Sequence, residues 1–107
     1  MMYYEFEVAG EVYKLRLNTR NIVSLEKMLG CNPLMIFGAG DKVPEVTDML
    51  AVLKCSLEQY QHGVTMDKVY DIWDKYCEDH VITDFIPVII EIYRVSGIIA
   101  KDTDEKN

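Results

Sequence analysis

No uninterrupted apolar run in the sequence is long enough to cross a bilayer. The most apolar stretch, near the C-terminal end, is broken by Glu91 and Arg94, short of the ~20 apolar residues that a spanning helix needs. Basic residues are scarce as well. Lysine plus arginine number 11 against 18 aspartate plus glutamate, a net charge of -7, so the chain repels a phosphate backbone where a nucleic-acid binder carries a basic stripe. Neither nucleic acid nor membrane is an expected partner. Cysteine is sparse: Cys31, Cys55 and Cys77 are odd in number and lack close pairing, and no basic-then-apolar leader precedes the first polar residues. Both observations argue against secretion and a disulfide framework, and for a reducing cytosol. Internal repeats and low-complexity tracts are also lacking.

What is present suits one soluble domain. Of 107 residues, 50% are hydrophobic and 27% charged, and a chain of this size buries roughly 65% of its unfolded surface, enough for one core without a metal or disulfide staple. The expected domain runs over 1-100, with 101-107 a polar, flexible tail. Acidity is concentrated in the middle of the chain, where ten of the acids lie between Asp41 and Asp84.

Residues 3-17 alternate with period two around Ala9-Gly10, the pattern of a β-hairpin with a two-residue turn. That turn sets Phe6 opposite Tyr13 and Tyr4 opposite Leu15 on one face, with Glu5 opposite Lys14 on the other. A lone ribbon is marginal, so its aromatic face must lie on helices. Asn18 is a good N-cap for a helix carrying Ile22, Leu25, Met28 and Leu29, and Gly30 supplies its stop. Asn32-Pro33 restarts the chain for a single turn over 34-37, after which Gly38 to Val43 reads as a mobile loop. A helix from Pro44 to about Gln61 places Val46, Met49, Leu50, Leu53, Leu57 and Tyr60 within about 100° of a helical wheel, a one-sided pattern. Thr65 caps a third helix, Met66 to about Asp79, with an inner stripe of Met66, Val69, Tyr70, Trp73, Tyr76 and Cys77. Thr83 then caps a last helix to about Ile99, with Pro87 tolerated in its first turn. The fold class is α+β, mostly α: an N-terminal hairpin on a small bundle of about four helices, the last most buried.

The constellations of chemistry-bearing residues read as structure. Asp67, Asp71, Asp74 and Glu78 share one helix face, which suggests paired carboxylates or a cation site, but acids opposite an apolar stripe are the ordinary solvated face of a helix. Cys77, Asp79 and His80 hold metal-ligating atoms without the second pair that a zinc site requires, and Cys77 falls on the apolar stripe. Gly38-Ala39-Gly40-Asp41 does not join a strand to a helix, and no lysine-serine or lysine-threonine follows it, so it is no phosphate cradle. The sequence therefore predicts no catalytic, metal-binding or cofactor-binding residues and no enzyme.

The last helix is the informative segment. Its apolar residues, Phe85 through Ile99, spread over roughly 220° of the wheel, more than one packed face needs. Either it is the central helix of the domain, or it packs one side inward and offers the other to a partner. On the second view the partner-binding residues are Ile89, Ile92, Tyr93, Ile98 and Ile99.

One run of residues goes beyond periodicity: Tyr13 to Arg20, then Leu25-Glu26-Lys27 and Leu29-Gly30-Cys31-Asn32-Pro33-Leu34. It resembles the N-terminal signature of the small tail assembly chaperones of long-tailed, siphovirus-type bacteriophages and related prophages. In that family a short hairpin precedes an LEK-x-LG-x-NPL type helix, then a variable loop, an amphipathic helix ending near a histidine-glycine (here His62-Gly63) and an apolar helix opening with threonine-aspartate (here Thr83-Asp84). The resemblance extends to about Ile99. It implies a non-enzymatic protein that binds the tape-measure protein in the host bacterial cytoplasm, is displaced as the tail tube polymerises, and is absent from the mature virion. It also implies possible self-association, contact with the tail-tube protein, and a longer form made by frameshifting. A reading from another class rests on the acids alone: an acidic regulatory or inhibitory protein that mimics nucleic acid and occupies a basic protein surface.

Overall fold

The computed structural model describes residues 2-38 and 43-100; most of the Gly38 to Val43 loop and the 101-107 tail, for which mobility was expected, lie outside the described residues. The hairpin consists of β1 (Tyr4–Val8) and β2 (Glu11–Leu15), antiparallel. Its pairs are Tyr4 with Leu15, Glu5 with Lys14 and Phe6 with Tyr13, as the alternation predicts. Ala9 and Gly10 form the turn with φ of 52° and 84°; two consecutive left-handed residues match the right-handed twist of the flanking strands. Phe6, Val8, Tyr13 and Leu15 are buried beneath the sheet. On the outer face the Lys14 ammonium lies 5.0 Å from the Tyr3 ring centre and 5.9 Å from that of Tyr60, a cation–π clamp.

Among the described residues four helices follow: α1 (Thr19–Leu29), α2 (Val46–Glu58), α3 (Met66–Asp79) and α4 (Phe85–Val95), with 3-10 segments at Pro33–Phe37 and Ile82–Asp84. Asn18 caps α1, its Oδ1 accepting from the Asn21 N–H at 2.9 Å, and Gly30 closes it in the left-handed region at φ 74°. Asn32 Oδ1 accepts from the Leu34 N–H at 2.9 Å, and Thr65 Oγ1 accepts from that of Lys68 at 3.2 Å. Thr83 is not a cap. It lies within the 3-10 segment, where the Asp84 carboxylate accepts the Val81 N–H. The last helix also stops short of Ile99. Gly97, at φ 80°, donates to the Arg94 carbonyl while Ile98 N–H donates to that of Tyr93, a Schellman closure that only a left-handed residue permits.

The most buried helix is α2, not α4. Eight of its residues are buried, Met49 to Leu53 and Cys55 to Leu57, against five in α4. It touches α1, α3, α4 and β2, so the expected one-sided pattern gives way to burial almost all round. Ala51, Cys55 and Ser56 make this possible, because small side chains let neighbours approach and Ser56 Oγ satisfies itself by donating to the Leu53 carbonyl at 3.1 Å. On α3 the buried stripe is Val69, Ile72, Trp73 and Tyr76. Tyr70 is instead 50% exposed, and Met66 and Cys77 are half-buried. Packing centres on an aromatic knot: Trp73 meets Phe85 at 5.0 Å, and Phe6 meets Tyr76 at 5.1 Å and Phe85 at 5.6 Å. This knot joins the hairpin to α3 and α4. No helix among the described residues is long and apolar enough to cross a membrane.

Candidate functional site

The residues expected to meet a partner are largely inside. Ile89, Ile92 and Tyr93 are fully buried, and Ile98 and Ile99 are half-buried against the core. The apolar surplus of α4 is taken up within the fold: one side faces α2, another the hairpin, and the Tyr93 hydroxyl donates to the Pro33 carbonyl at 3.0 Å. Burial pushes that hydroxyl well above its ordinary pKa. An interface formed by Ile89, Ile92 and Tyr93 is therefore corrected, because reaching those side chains would require opening the core.

Apolar surface is exposed elsewhere. Where α1 packs along α2, a groove of about 390 Å³ is lined by Arg20, Asn21, Ser24, Lys27 and Met28 from one helix and Lys54, Cys55 and Glu58 from the other. Its floor is soft and apolar, with Cys55 Sγ 3.6 Å from Met28 Sδ. Burial raises the Cys55 thiol to about 11, so this sulfur behaves as a small hydrophobe. The rim is basic in an otherwise acidic protein. Its one carboxylate is committed: Glu58 accepts from Lys54 at 3.1 Å through one oxygen and from the Gly63 N–H at 3.1 Å through the other. Partial burial pushes that carboxyl up, but these donors and His62 outweigh it and hold the group below its ordinary range. Beyond the end of α1, the 3-10 segment exposes Leu34 and Met35.

A second depression borders the outer edge of β1. It comprises hollows of about 410 and 420 Å³, both lined by Glu7, Tyr76 and His80. The His80 ring stacks on Tyr76 at 4.2 Å, nearly parallel, and its Nδ1 lies 3.1 Å from the Tyr76 carbonyl oxygen, which makes that nitrogen the proton carrier. Burial, then the nearby Asp84 carboxylate, raises the Tyr76 hydroxyl to about 12; burial, then Glu91, raises that of Tyr4.

Asp67, Asp71, Asp74 and Glu78 are all exposed on α3, and His80 serves to stack on Tyr76. Among the described residues no group of three or more histidine, cysteine, aspartate or glutamate side chains is placed to hold a metal ion. The α1–α2 groove went unpredicted because its walls are far apart in sequence. One signal was available: Met28, Leu34 and Met35 crowd apolar side chains around helix-ending residues, where burial is hard to arrange.

A family model described as a family of unknown function (DUF6096) matches residues 7–107. No curated protein and no solved structure matches the chain.

Proposed function

We propose that this chain, which belongs to the family of unknown function DUF6096, is a non-enzymatic tail assembly chaperone that binds a tape-measure protein in the host cytoplasm and is displaced as the tail tube polymerises. The observation that supports this reading is a coincidence of sequence and surface. The segment on which the resemblance rests, Leu25 to Leu34, is also where apolar side chains stand in solvent: Met28 is 47% exposed, Leu34 42% and the adjacent Met35 60%. They are held in place from behind. Gly30 ends α1, Asn32 starts the next turn, and Tyr93 bonds the Pro33 carbonyl, so little ordering cost remains to be met on binding.

A tape measure awaiting its tube exposes amphipathic helices, and helix-in-groove docking suits the α1–α2 channel. Met28 in the groove, with Leu34 and Met35 exposed beyond the end of α1, would cover its apolar stripe, while Arg20 and Lys27 would meet acidic flanks. Methionine adapts to irregular surfaces. Each such side chain, when buried, contributes roughly 1.5-3 kcal/mol, and the cost of association removes much of that sum. The resulting affinity is reversible, as a coat displaced by tube subunits requires.

The test is co-expression with a tape-measure protein, sought as a very long, helix-rich reading frame downstream of this chain's gene. Wild type is expected to keep that protein soluble and to co-purify with it, whereas a folded Leu34→Glu/Met35→Glu variant loses at least tenfold of the co-purified material. A folded variant that co-purifies as well as wild type, or a wild type that never co-purifies, overturns the reading. The acidic-mimic alternative draws on the solvated carboxylates of α3. A salt-sensitive complex with a basic nucleic-acid-binding protein, abolished by Asp71→Lys/Asp74→Lys, would favour it instead.

A further inference from the structure

Among the described residues the sheet has two strands and two long edges, and the edges are not equivalent. Beyond β2 the chain is tied down, since the Arg16 N–H donates to the Ser56 carbonyl at 3.0 Å and β2 runs along α2. Beyond β1 lies the acidic depression described above. We propose that the outer edge of β1 accepts an extended segment of another protein as a third strand, and that this segment alternates apolar with lysine or arginine residues. The inference does not depend on the tail-assembly reading.

Backbone alternation supplies the first argument. Across a two-residue turn the closing pair, Val8 and Glu11, is hydrogen-bonded, and bonded pairs recur at every second position. Phe6 with Tyr13 and Tyr4 with Leu15 therefore exchange bonds across the hairpin, while Glu5 and Glu7 turn their N–H and C=O groups away from β2. Among the described residues, no other backbone or side-chain group bonds to the main chain of Glu5 or Glu7. Natural sheet edges are commonly guarded by lysine, proline or a bulge. β1 reads Tyr-Glu-Phe-Glu-Val and pairs without a bulge, so its guard is the negative charge of Glu5 and Glu7, which a lysine- or arginine-bearing strand would neutralise.

The second argument is space. A strand would lie ~4.8 Å from β1, and a hollow of about 410 Å³ already separates Tyr4, Phe6 and Glu7 from Tyr76, Pro87 and Val88. Side chains facing inward from an added strand would meet Tyr76, Pro87 and Val88, an apolar strip bordered by Asp84 and Glu91. Those facing outward would lie beside Glu5 and Glu7.

Charge then selects the occupant. Glu7, Asp79, Asp84 and Glu91 border the two hollows against one lysine, Lys75. Asp84 accepts the Val81 N–H and Glu91 pairs with Arg94, which leaves Glu7 and Asp79 uncommitted, with Glu5 next along the edge. A second copy of this chain fits poorly, because antiparallel β1–β1 pairing sets glutamates against glutamates, and like charges directly opposite are destabilising. A segment with lysine or arginine on its outer face and apolar residues on its inner face satisfies both requirements.

The experiment uses the full chain and two capped octapeptides, one alternating lysine with valine and one alternating glutamate with valine. Calorimetry measures affinity and amide hydrogen exchange reports the edge. The lysine peptide is expected to bind at least tenfold more tightly than the glutamate peptide and to slow exchange at the Glu5 and Glu7 amides. Glu7→Pro should abolish binding while the hairpin survives, since the lost N–H faces away from β2; Glu5→Lys/Glu7→Lys, which leaves the backbone intact, should weaken it at least tenfold. The Leu34→Glu/Met35→Glu variant should bind the peptide as wild type does, which separates this edge from the surface proposed for the tape measure. Binding without slowed exchange at Glu5 and Glu7, equal binding of the two peptides, undiminished binding to a folded Glu7→Pro or to the double lysine variant, or no binding at millimolar peptide overturns the proposal.

Discussion

Tyr93 and Ile92 are neighbours in α4 with different roles in the core. Ile92 offers only volume and is fully buried, so Ile92→Glu places a carboxylate where no partner exists. Burying an unpaired charge exceeds the usual range of single substitutions and approaches the whole stability of a small domain. The variant is expected to be unfolded by circular dichroism at neutral pH. Tyr93→Phe keeps the ring and removes only the hydroxyl that bonds the Pro33 carbonyl. It should remain folded and lose about 1-2 kcal/mol in urea denaturation, the cost of one unpaired buried acceptor. A folded, soluble Ile92→Glu would mean that α4 has an open face after all. Position 92 is therefore a probe of the core, and tests of partner binding belong at Met28, Leu34 and Met35.

At the scale of elements, the hairpin turn contains a residue at odds with its conformation. Ala9 is the one non-glycine residue with positive φ among those described, and asparagine tolerates the left-handed region better than alanine. Ala9→Asn should stabilise the protein by about 0.5-1 kcal/mol, read as a rise in the urea midpoint at unchanged slope; a lower midpoint would contradict the turn assignment. The hairpin register was legible in sequence because a two-residue turn and period-two alternation leave one pairing that sets Tyr4, Phe6 and Tyr13 on the same face. The helix starts at Asn18 and Thr65 were legible for the same local reason. Which helix takes the centre was not. A helical wheel shows how wide an apolar arc is but not what lies around it, and it gives little weight to Ala51, Cys55 and Ser56, whose small size brings neighbours close to α2. Stripe width alone therefore favoured α4. The α1–α2 groove was illegible for a related reason, since Arg20 and Lys54 converge only once both helices are packed.

Across the whole molecule, several buried acids are held in their protonated form. Burial lifts Cys55 from 9.0 to about 11, while burial together with a Glu11 hydrogen bond lifts Tyr13 from 10.0 to about 12, and burial with the Asp84 charge does the same for Tyr76. In each case the folded state binds the proton more tightly than the unfolded chain. Stability is thus independent of these groups below about pH 9 and falls as pH rises through the interval from 9 to 12, where the unfolded chain ionises first. Urea midpoints under reducing conditions should decline over that interval, and Cys55→Ala should flatten the part between pH 9 and 11. A midpoint unchanged up to pH 12 would show that these side chains are not buried as described.

The junction between hairpin and bundle carries a consequence for how the protein is made. The Leu17 N–H donates to Ser96 Oγ at 2.9 Å, and the Arg16 N–H just before it donates to the Ser56 carbonyl. The segment leading out of the hairpin, which is made before any of these helices, is thus fastened to a residue that follows α4. A nascent chain emerges in one direction, so the hairpin leaves the ribosome long before either acceptor exists, and a two-stranded ribbon has little stability by itself. Until α4 clears the exit, Phe6, Tyr13 and Leu15 have no completed floor, and the fold closes late and all at once. Docking of the hairpin therefore waits on α4, however early its two strands are made.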